Sequence, residues 1–370
     1  MSISINKLAI GVKLPLAMAL AVAFTVVALT IGSFMSSRAT LEAAAVEKFS
    51  AISLMQTRRI TTLLETIERD IRLQAKTPLM SEALVALSSG FDSLGEAAGE
   101  TLRRTYIDDN PNPAGEKNLL VSADTGSSYG FIHAIYHPVL NTLQNEMGYY
   151  DVFLFDPKGN LVYSVFKEDD FATNVKTGKW KDSGLAEAFS RAAVAETTED
   201  TIFTDFSPYG PSDGAPAAFL ARPIYDQNGA LLGVLAFQMP IEPLNDSAGN
   251  LQGLGDTADG YLIGTDFLFR TDSFQTDESE ILKKKLNTTF VKDALAGNRN
   301  GFVGIGHRGH KVMGSYNFVK FLGTTWASVV EQDVDEIFAG LNALLLQTVL
   351  LSIAIFPAVL AIAVAFSRSI

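Results

Sequence analysis

The sequence predicts an α+β protein in which two tandem modules with antiparallel sheets lie between two membrane-spanning helices. Three observations support this prediction. Charge-free apolar segments lie near both ends, a long helical pattern follows the first of them, and a strand–turn–strand pattern occurs twice in the remaining chain. A chain of 370 residues has room for two or three compact domains, so these features can account for its whole length.

The apolar segments cover residues 14–35 and 341–366, and neither contains an ionisable side chain. Each is longer than the roughly 20 residues that a helix needs to cross a membrane. We therefore expect transmembrane helices over 14–36 and 341–366, the second kinked at Pro357. A cleavable signal peptide is the alternative for the first. Its apolar stretch is longer than a signal peptide uses, and no small-x-small site follows Met35, which favours an uncleaved anchor.

Basic residues predict the orientation of the chain in the membrane. Lys7 and Lys13 precede the first span, and Arg368 follows the second. Positively charged flanks stay in the cytoplasm, so residues 1–13 and the C-terminus are expected inside. Residues 37–340 are then outside. We expect a multi-pass protein of the bacterial inner membrane, with this segment in the periplasm.

Composition limits the classes of function. All 41 acidic residues lie between the apolar segments, which makes this part of the chain acidic and argues against nucleic acid as a partner. The chain has no cysteine, which excludes disulfides, thiol catalysis and thiolate metal sites. No phosphate-binding loop, nucleophile elbow or His-Glu-x-x-His motif is present, so we expect neither an enzyme nor a cofactor.

A stalk helix is predicted over residues 37–90. Its apolar residues recur at three- and four-residue steps, and no proline precedes Pro78. Such a helix would reach roughly 60–75 Å from the membrane. Its apolar stripe must pack either on the following modules or on the same helix of a second subunit, and the second option implies a parallel homodimer. The stripe comprises Phe49, Ile52, Ile60, Leu63, Ile67 and Ile71.

The first module is predicted over residues 91–245. A loop with two Asn-Pro pairs spans 110–115, and a short helix is expected to begin at Pro138 because proline favours the first helical turn. Residues 149–155 and 161–166 predict two strands joined by a tight turn. Residues 217–225 and 230–239 predict a hairpin around Asn228 and Gly229.

The second module is predicted over residues 246–335. Residues 259–270 repeat the strand–turn–strand pattern of residues 150–162, and residues 311–318 and 325–331 predict a closing hairpin. A helical stretch that begins at Val334 then leads into the second span.

The chain resembles the double Cache sensor domain of bacterial chemoreceptors and related signalling proteins. The resemblance covers residues 37–340, and the matching stretches are 149–166, 180–183, 205–209, 221–225 and 253–272. It implies a membrane-distal and a membrane-proximal module of PAS-like fold. The family's sensing role implies an extracytoplasmic receptor that binds a small molecule in the distal module. The ligand would lie between the central sheet and a cap formed here by residues 169–205.

The resemblance also has implications for the class of ligand and for the cytoplasmic signalling protein that the receptor controls. The amino-acid-sensing subfamily carries an Arg-x-Trp-aromatic motif, whereas Trp180 is followed here by Lys181 and has no arginine two positions before it. Residues 367–370 resemble the start of a HAMP linker, which implies cytoplasmic signalling partners. The output would be that of a chemoreceptor, with a nucleotide cyclase or a histidine kinase as alternatives. A membrane-anchored periplasmic enzyme is the alternative of another class.

Two groups of side chains are candidates for ligand contacts. Aromatic residues could form the walls of a pocket or simply belong to the core of the sheet; they are Tyr163, Phe166, Trp180 and Tyr209, with Phe206 beside them. Asp151, Asp182 and Asp205 could bind a ligand ammonium group, or serve as an exposed strand residue, a helix N-cap and a turn former. Arg222 could pair with a ligand carboxylate or with one of these aspartates.

Two histidine pairs are candidate metal ligands. His133 and His137 have the i, i+4 spacing of a helical pair, but a helix that begins at Pro138 would not place them on one face. His307 and His310 flank Arg308 and Gly309 in a predicted turn. We therefore expect no metal site.

Overall fold

The computed structural model describes residues 10–195, 200–251 and 253–369. Helix α1 runs without interruption over Ile10–Gln74, through the first apolar segment and most of the predicted stalk. The predicted single stalk helix over 37–90 is wrong in its last part, because α1 ends at Gln74 and α2 spans Pro78–Asp92. The Thr77 side chain accepts a hydrogen bond from the Met80 N–H, and Pro78 occupies the first turn, so the local sequence starts a new helix here.

The next helical segment corrects the prediction for Pro138. Helix α4 spans Tyr129–Met147, so Pro138 lies in its interior. One face of α4 buries Tyr129, His133, His137 and Leu140, and this tertiary packing outweighs the hydrogen bond that the proline removes. Between α2 and α4 lie short helical segments: Gly95–Ala97, α3 (Ala98–Arg103), a π-helical turn over Arg104–Asp108, and Lys117–Leu119.

A five-stranded antiparallel sheet forms the centre of the distal module, in the order β2-β1-β5-β4-β3. Helices α1, α2 and α4 contact this sheet, and α5 (Gly184–Ala193) packs against β3, β4 and β5. The Ser183 side chain caps α5 by accepting a hydrogen bond from the Ala186 N–H. The strands are β1 (Asp151–Phe155), β2 (Leu161–Ser164), β3 (Ile202–Tyr209), β4 (Ala215–Tyr225) and β5 (Leu231–Gln238).

Strand β3 was not predicted, and Tyr209 lies at its end. Pro208 within β3 has no backbone N–H to donate to a sheet ladder. However, β3 is the edge strand of its sheet, and an edge strand tolerates a proline because one side makes no ladder hydrogen bonds. The predicted hairpin around Gly229 is present as β4 and β5.

The proximal module contains a four-stranded antiparallel sheet in the order β6-β9-β8-β7. The predicted return strand after residue 264 is wrong, since only isolated bridges such as Ile263–Phe269 form there. Strand β7 was missed because Gly301 and Gly304 weaken its strand pattern. The elements are α6 (Glu242–Gly249), β6 (Asp259–Ile263), α7 (Thr289–Leu295), β7 (Asn300–Ile305), β8 (Lys311–Phe321) and β9 (Thr324–Asp333).

Strand β9 leads into α8 (Val334–Ile337) and then into α9 (Ala339–Ser369), which packs along α1. The segments Pro15–Gln74 and Ala339–Phe366 are long and apolar enough to cross a membrane. They contain almost all of the two predicted spans. Residues 1–9 of the predicted cytoplasmic N-terminus and residue 370 of the predicted HAMP start lie outside the described residues.

The apolar stripe of α1 packs mainly on the two modules. Phe49 belongs to the core beneath the proximal sheet, and Ile60, Ile67 and Ile71 belong to the core that also holds the distal helices. The latter core extends to Trp326 on β9. One helix is therefore buried against both modules, which links the first apolar segment directly to the distal sheet.

Candidate functional site

The two faces of the distal sheet divide the predicted ligand residues. Asp151 pairs with Gln238, and Gln238 pairs with Phe219, so their side chains share the face that packs on α5. We call this face the cap side. Tyr163 pairs with Leu154 and Arg222 with Leu235, which places both on the opposite, helix side.

Asp151 is fully buried at the start of β1. Its carboxylate accepts hydrogen bonds from the backbone N–H groups of Val152 at 2.6 Å and Val165 at 2.8 Å, with Phe166 at a longer 3.3 Å. Burial raises the pKa of Asp151 well above its usual range, and the nearby carboxylates of Asp170 and Glu168 raise it further. Asp151 thus ties the start of the cap to the sheet and tends to keep a proton.

Asp170 and Tyr209 form the second part of the cap-side arrangement. The Tyr209 hydroxyl donates to Oδ2 of Asp170, and its ring packs edge-on against Phe219 with centroids 4.9 Å apart. Oδ1 of Asp170 is buried and has no hydrogen-bond partner among the described residues. Burial raises the pKa of Asp170 to about 7. A buried acceptor without a partner costs free energy, and a bound hydrogen-bond donor would remove this cost.

Gln238 and Glu168 complete the arrangement. Oε1 of Gln238 is buried without a hydrogen-bond partner in the part of the chain that the structure describes. Glu168 is half-buried and accepts hydrogen bonds from the hydroxyls of Tyr150, at 2.7 Å, and Ser212. These side chains form a cluster, and we refer to the cluster of Asp151, Glu168, Asp170, Tyr209 and Gln238 as the distal acidic pocket.

The helix side holds a buried basic and aromatic cluster. His137 Nδ1 lies 2.7 Å from the Tyr163 hydroxyl, and the rings of His133 and His137 stack with centroids 4.5 Å apart. The predicted separation of these histidines is thus wrong, because α4 places them on one face. Burial lowers the pKa of His137 to about 3 and that of Lys167 to about 7.

Lys167 fills the centre of this cluster. Its ammonium group donates to the carbonyls of Ser164 and Val165, both at 3.1 Å, and lies 5.2 Å from the centre of the Tyr163 ring. Tyr163 therefore contributes to a packed core. Among the described residues, no group of His, Asp and Glu has the arrangement of a metal site.

Three predicted residues lie around the cap. Phe166 is half-buried and packs near Tyr150, with ring centroids 5.4 Å apart. The Trp180 indole N–H donates to the Asp169 carbonyl, and its ring lies so close to Gly210 that a side chain there would collide with it. Asp182 is exposed and lines an open groove of about 550 Å³ outside α5.

Asp205 also lines that groove, but its carboxylate joins the two modules. It accepts hydrogen bonds from Nε and Nη2 of Arg270, at 3.1 and 2.9 Å, and from the Trp326 indole N–H at 3.1 Å. Both partners belong to the proximal module. Asp205 therefore lies outside the distal acidic pocket, at the contact between the two modules.

Arg222 is fully buried and reaches toward α1. It donates to the Thr201 hydroxyl, and Nη1 lies 3.9 Å from a carboxylate oxygen of Glu68. Glu68 is on α1, so Arg222 connects the distal sheet to the long helix. In the described part of the chain, Arg222 does not pair with Asp151, Asp182 or Asp205, as one of the two predicted alternatives had it.

Comparison with known proteins identifies the family. A family model described as Cache domain matches residues 37–341, which is most of the chain. The chain belongs to the Cache domain family. The predicted resemblance is confirmed, and the chain carries a sensor domain. Among curated proteins, no sequence matches.

Several solved structures are similar to this chain at low sequence identity. The periplasmic sensory domain of the Campylobacter jejuni chemoreceptor Tlp1 is 14% identical, with a TM-score of 0.41 and coverage of 69% of this chain and 95% of that one. The ligand-binding domain of the Pseudomonas fluorescens chemoreceptor CtaA in complex with L-serine is 15% identical, with a TM-score of 0.36 and coverage of 73% and 99%. Extracellular domains of putative histidine kinases also match.

An extracellular ligand binding receptor from Desulfohalobium retbaense is 14% identical, with a TM-score of 0.39. The match covers 71% of this chain but 39% of that receptor. The chain thus spans less than half of the length of this relative.

The two modules of this Cache domain place corresponding side chains at corresponding positions. Asp259 begins β6 as Asp151 begins β1, and its carboxylate accepts from the N–H groups of Gly260 and Phe274. Asp151 pairs with Gln238 across the distal sheet, and Asp259 pairs with Glu331 across the proximal sheet. Each module therefore has an acidic residue and a second polar group at the same place.

Sequence reasoning found only part of the distal acidic pocket. Asp151 and Tyr209 were predicted, whereas Glu168, Asp170 and Gln238 were not. The repeat held a usable signal, because an aspartate begins the first strand of both modules. Gln238 could not be found in this way, since its pairing with Asp151 depends on the strand order.

Proposed function

We propose that this Cache domain senses a small cationic solute, which binds in the distal acidic pocket. The orphaned, buried carboxylate oxygen of Asp170 carries this proposal. It lies beside the carboxyl groups of Asp151 and Glu168, so a ligand ammonium group would supply the missing hydrogen-bond donor in an acidic environment.

The position of Arg222 favours a cation over a zwitterion. A ligand carboxylate would need a basic partner in the pocket, but Arg222 lies on the helix side and pairs with Glu68. The Lys167 ammonium group is likewise directed into the aromatic cluster on the helix side. The absence of the Arg-x-Trp motif of amino-acid sensors agrees with this choice.

In this proposal the protein acts as a receptor in the bacterial inner membrane, with residues 37–340 in the periplasm, and has no catalytic activity. Ligand binding changes the balance between two arrangements of the distal sheet and α1, and α1 and α9 carry the change across the membrane. The output is chemotaxis, through cytoplasmic signalling proteins; a cyclase or a histidine kinase is the alternative.

We further propose a parallel homodimer. Several apolar side chains of α1 stay exposed in the single chain and lie along its length outside the module contacts, which supports pairing of two copies of this helix. They are Leu41, Met55 and Leu73.

A thermal-shift screen of the full chain in lipid nanodiscs tests the ligand class. The probes are methylammonium, ethanolamine and putrescine, each compared with an uncharged analogue: methanol, ethylene glycol and 1,4-butanediol. Binding to the folded state raises the melting temperature, so at least one amine should raise it and its analogue should not. Equal responses within every pair would contradict the proposal.

A further inference from the structure

The proximal module contains a buried histidine whose two ring nitrogens have charged partners. Nε2 of His307 lies 2.7 Å from Oδ2 of Asp259, and Nδ1 lies 2.9 Å from Nζ of Lys284. The imidazole is fully buried. Because a lysine ammonium group can only donate, Nδ1 accepts and Nε2 carries the hydrogen that is donated to Asp259. This arrangement requires a neutral imidazole.

Four charged groups face this imidazole from the surrounding elements. Asp259 comes from β6 and Glu331 from β9, while Glu280 and Lys284 come from the segment between β6 and α7. Oε1 of Glu331 lies 3.9 Å from Nε2. The Tyr261 hydroxyl donates to the other oxygen of Glu331 at 2.8 Å, and burial raises the pKa of Glu331. The ring thus lies among three carboxyl groups and one ammonium group.

The second oxygen of Glu280 provides an alternative partner for Nδ1. The Lys284 ammonium group donates to Oε1 of Glu280. Oε2 of Glu280 is buried, lies 3.6 Å from Nδ1 of His307, and has no hydrogen-bond partner among the described residues. A protonated imidazole can no longer accept from Lys284, and it needs an acceptor at Nδ1. Only a small movement is needed to bring Oε2 of Glu280 into that role.

The turn that contains His307 also contacts the residue from which the last two helices begin. His307 lies in the β7–β8 turn, and its neighbours Arg308 and His310 bind the carboxylate of Asp333 at 2.9 and 3.0 Å. Asp333 is the residue directly before α8, and α8 leads into α9. A movement of this turn is therefore transmitted to the entry of the second apolar helix through two side-chain contacts.

We propose that the proximal module is a proton-responsive element, in which His307 takes up a proton on mild acidification and exchanges Lys284 for Glu280 as its partner. The β7–β8 turn then moves together with Asp333 and the start of α8. The corresponding place in the distal module is the acidic pocket, which has no imidazole. In the proximal module the side chains of His307 and Lys284 lie at the corresponding position beside Asp259. Protonation of His307 would therefore correspond to ligand binding in the distal module.

The test uses the full chain in nanodiscs with one introduced cysteine. The chain has no cysteine of its own, and Asp335 on α8 is exposed, so Asp335→Cys accepts an environment-sensitive fluorophore cleanly. The emission is followed while the pH is lowered from 8 to 5, and the proposal expects it to change. His307→Gln should abolish the change, because glutamine can donate and accept like a neutral imidazole but cannot be protonated there.

His310→Gln is the matched control, since His310 binds the same aspartate from an exposed position and should leave most of the change intact. A full pH response in the His307→Gln protein, or no response in the parent, would overturn the proposal.

If the His307→Gln protein fails to fold, the Glu280→Gln variant tests the same proposal. Removing this carboxylate takes away the acceptor that the imidazolium needs, so the emission change should require a lower pH than in the parent. An unchanged midpoint contradicts the proposal.

Discussion

At the scale of single residues, the burial of Asp170 in the distal acidic pocket should lower the folding stability at neutral pH. Its pKa is raised from 3.8 to about 7 by burial. The folded state therefore binds more protons at Asp170 than the unfolded state does between these two values. Stability from this group is greatest at low pH and is lost as the pH rises toward 7. The negative charge of Asp170 therefore lowers the stability of the folded state at neutral and higher pH.

Asp170→Asn should remove this cost. Asparagine keeps an acceptor for the Tyr209 hydroxyl but carries no charge, so we expect the variant to melt on the order of 5 °C higher than the parent at pH 8. At pH 4 the two proteins should melt at similar temperatures, because Asp170 is then neutral. Thermal unfolding at both pH values measures this. Asp182→Asn, a change at an exposed carboxylate, is the control and should have little effect at either pH.

The residues that sequence reasoning could and could not place differ in a physical way. Asp151 was identifiable because a charged residue opens an otherwise apolar strand. Asp170 lies in a polar loop, where an aspartate is ordinary, and only its burial in the fold makes it unusual. Arg222 was predicted as a ligand contact from its strand, but the strand pattern does not say that Glu68 on α1 lies opposite.

At the scale of elements, the sequence predicted those strands that are marked by a turn motif or by a repeated pattern. It did not predict the elements that depend on packing against distant parts of the chain. The Asn-Gly turn fixed the β4–β5 hairpin, and the repeated strand pattern identified β1 and β6. The start of α4 was missed because Pro138 is a strong local signal that buried contacts override. Strands β3 and β7 were missed because each depends on pairing with a neighbour to compensate for proline or glycine.

The contact between Asp205 and Arg270 leads to a prediction about how the modules are joined. A double-mutant cycle with Asp205→Ala and Arg270→Ala should show a coupling of roughly 1–3 kcal/mol, because the pair is partly buried and doubly hydrogen-bonded. Thermal unfolding of the parent, both single variants and the double variant measures it. Additive effects would show that the pair contributes nothing to holding the modules together. The pair Lys158 and Asp92, exposed on the surface, is the control and should couple weakly.

At the scale of the whole molecule, α1 unites the predicted membrane anchor, the stalk and the cores of both modules. The general architecture was predictable, since long apolar segments and a three- to four-residue apolar repeat are properties of the sequence alone. Whether the stripe of α1 packs on the modules or on a second copy was not predictable. The structure shows that the modules cover most of it, and the exposed remainder leads to the proposed homodimer.

The central claim is that the distal acidic pocket binds a cation through Asp170 and Asp151. Its most direct test is calorimetric titration of the full chain with the amine of the panel that raises the melting temperature most, at pH 6 and pH 8. Since Asp170 has a pKa of about 7, we expect about tenfold weaker binding at pH 6, where most of this group is neutral.

In the same titration, Asp170→Asn should bind the amine weakly with little dependence on pH, and Asp151→Asn should bind it more weakly than the parent. Tyr163→Phe, a change on the helix side of the sheet, should leave the affinity close to that of the parent. Parent-like affinity in both aspartate variants would contradict the account.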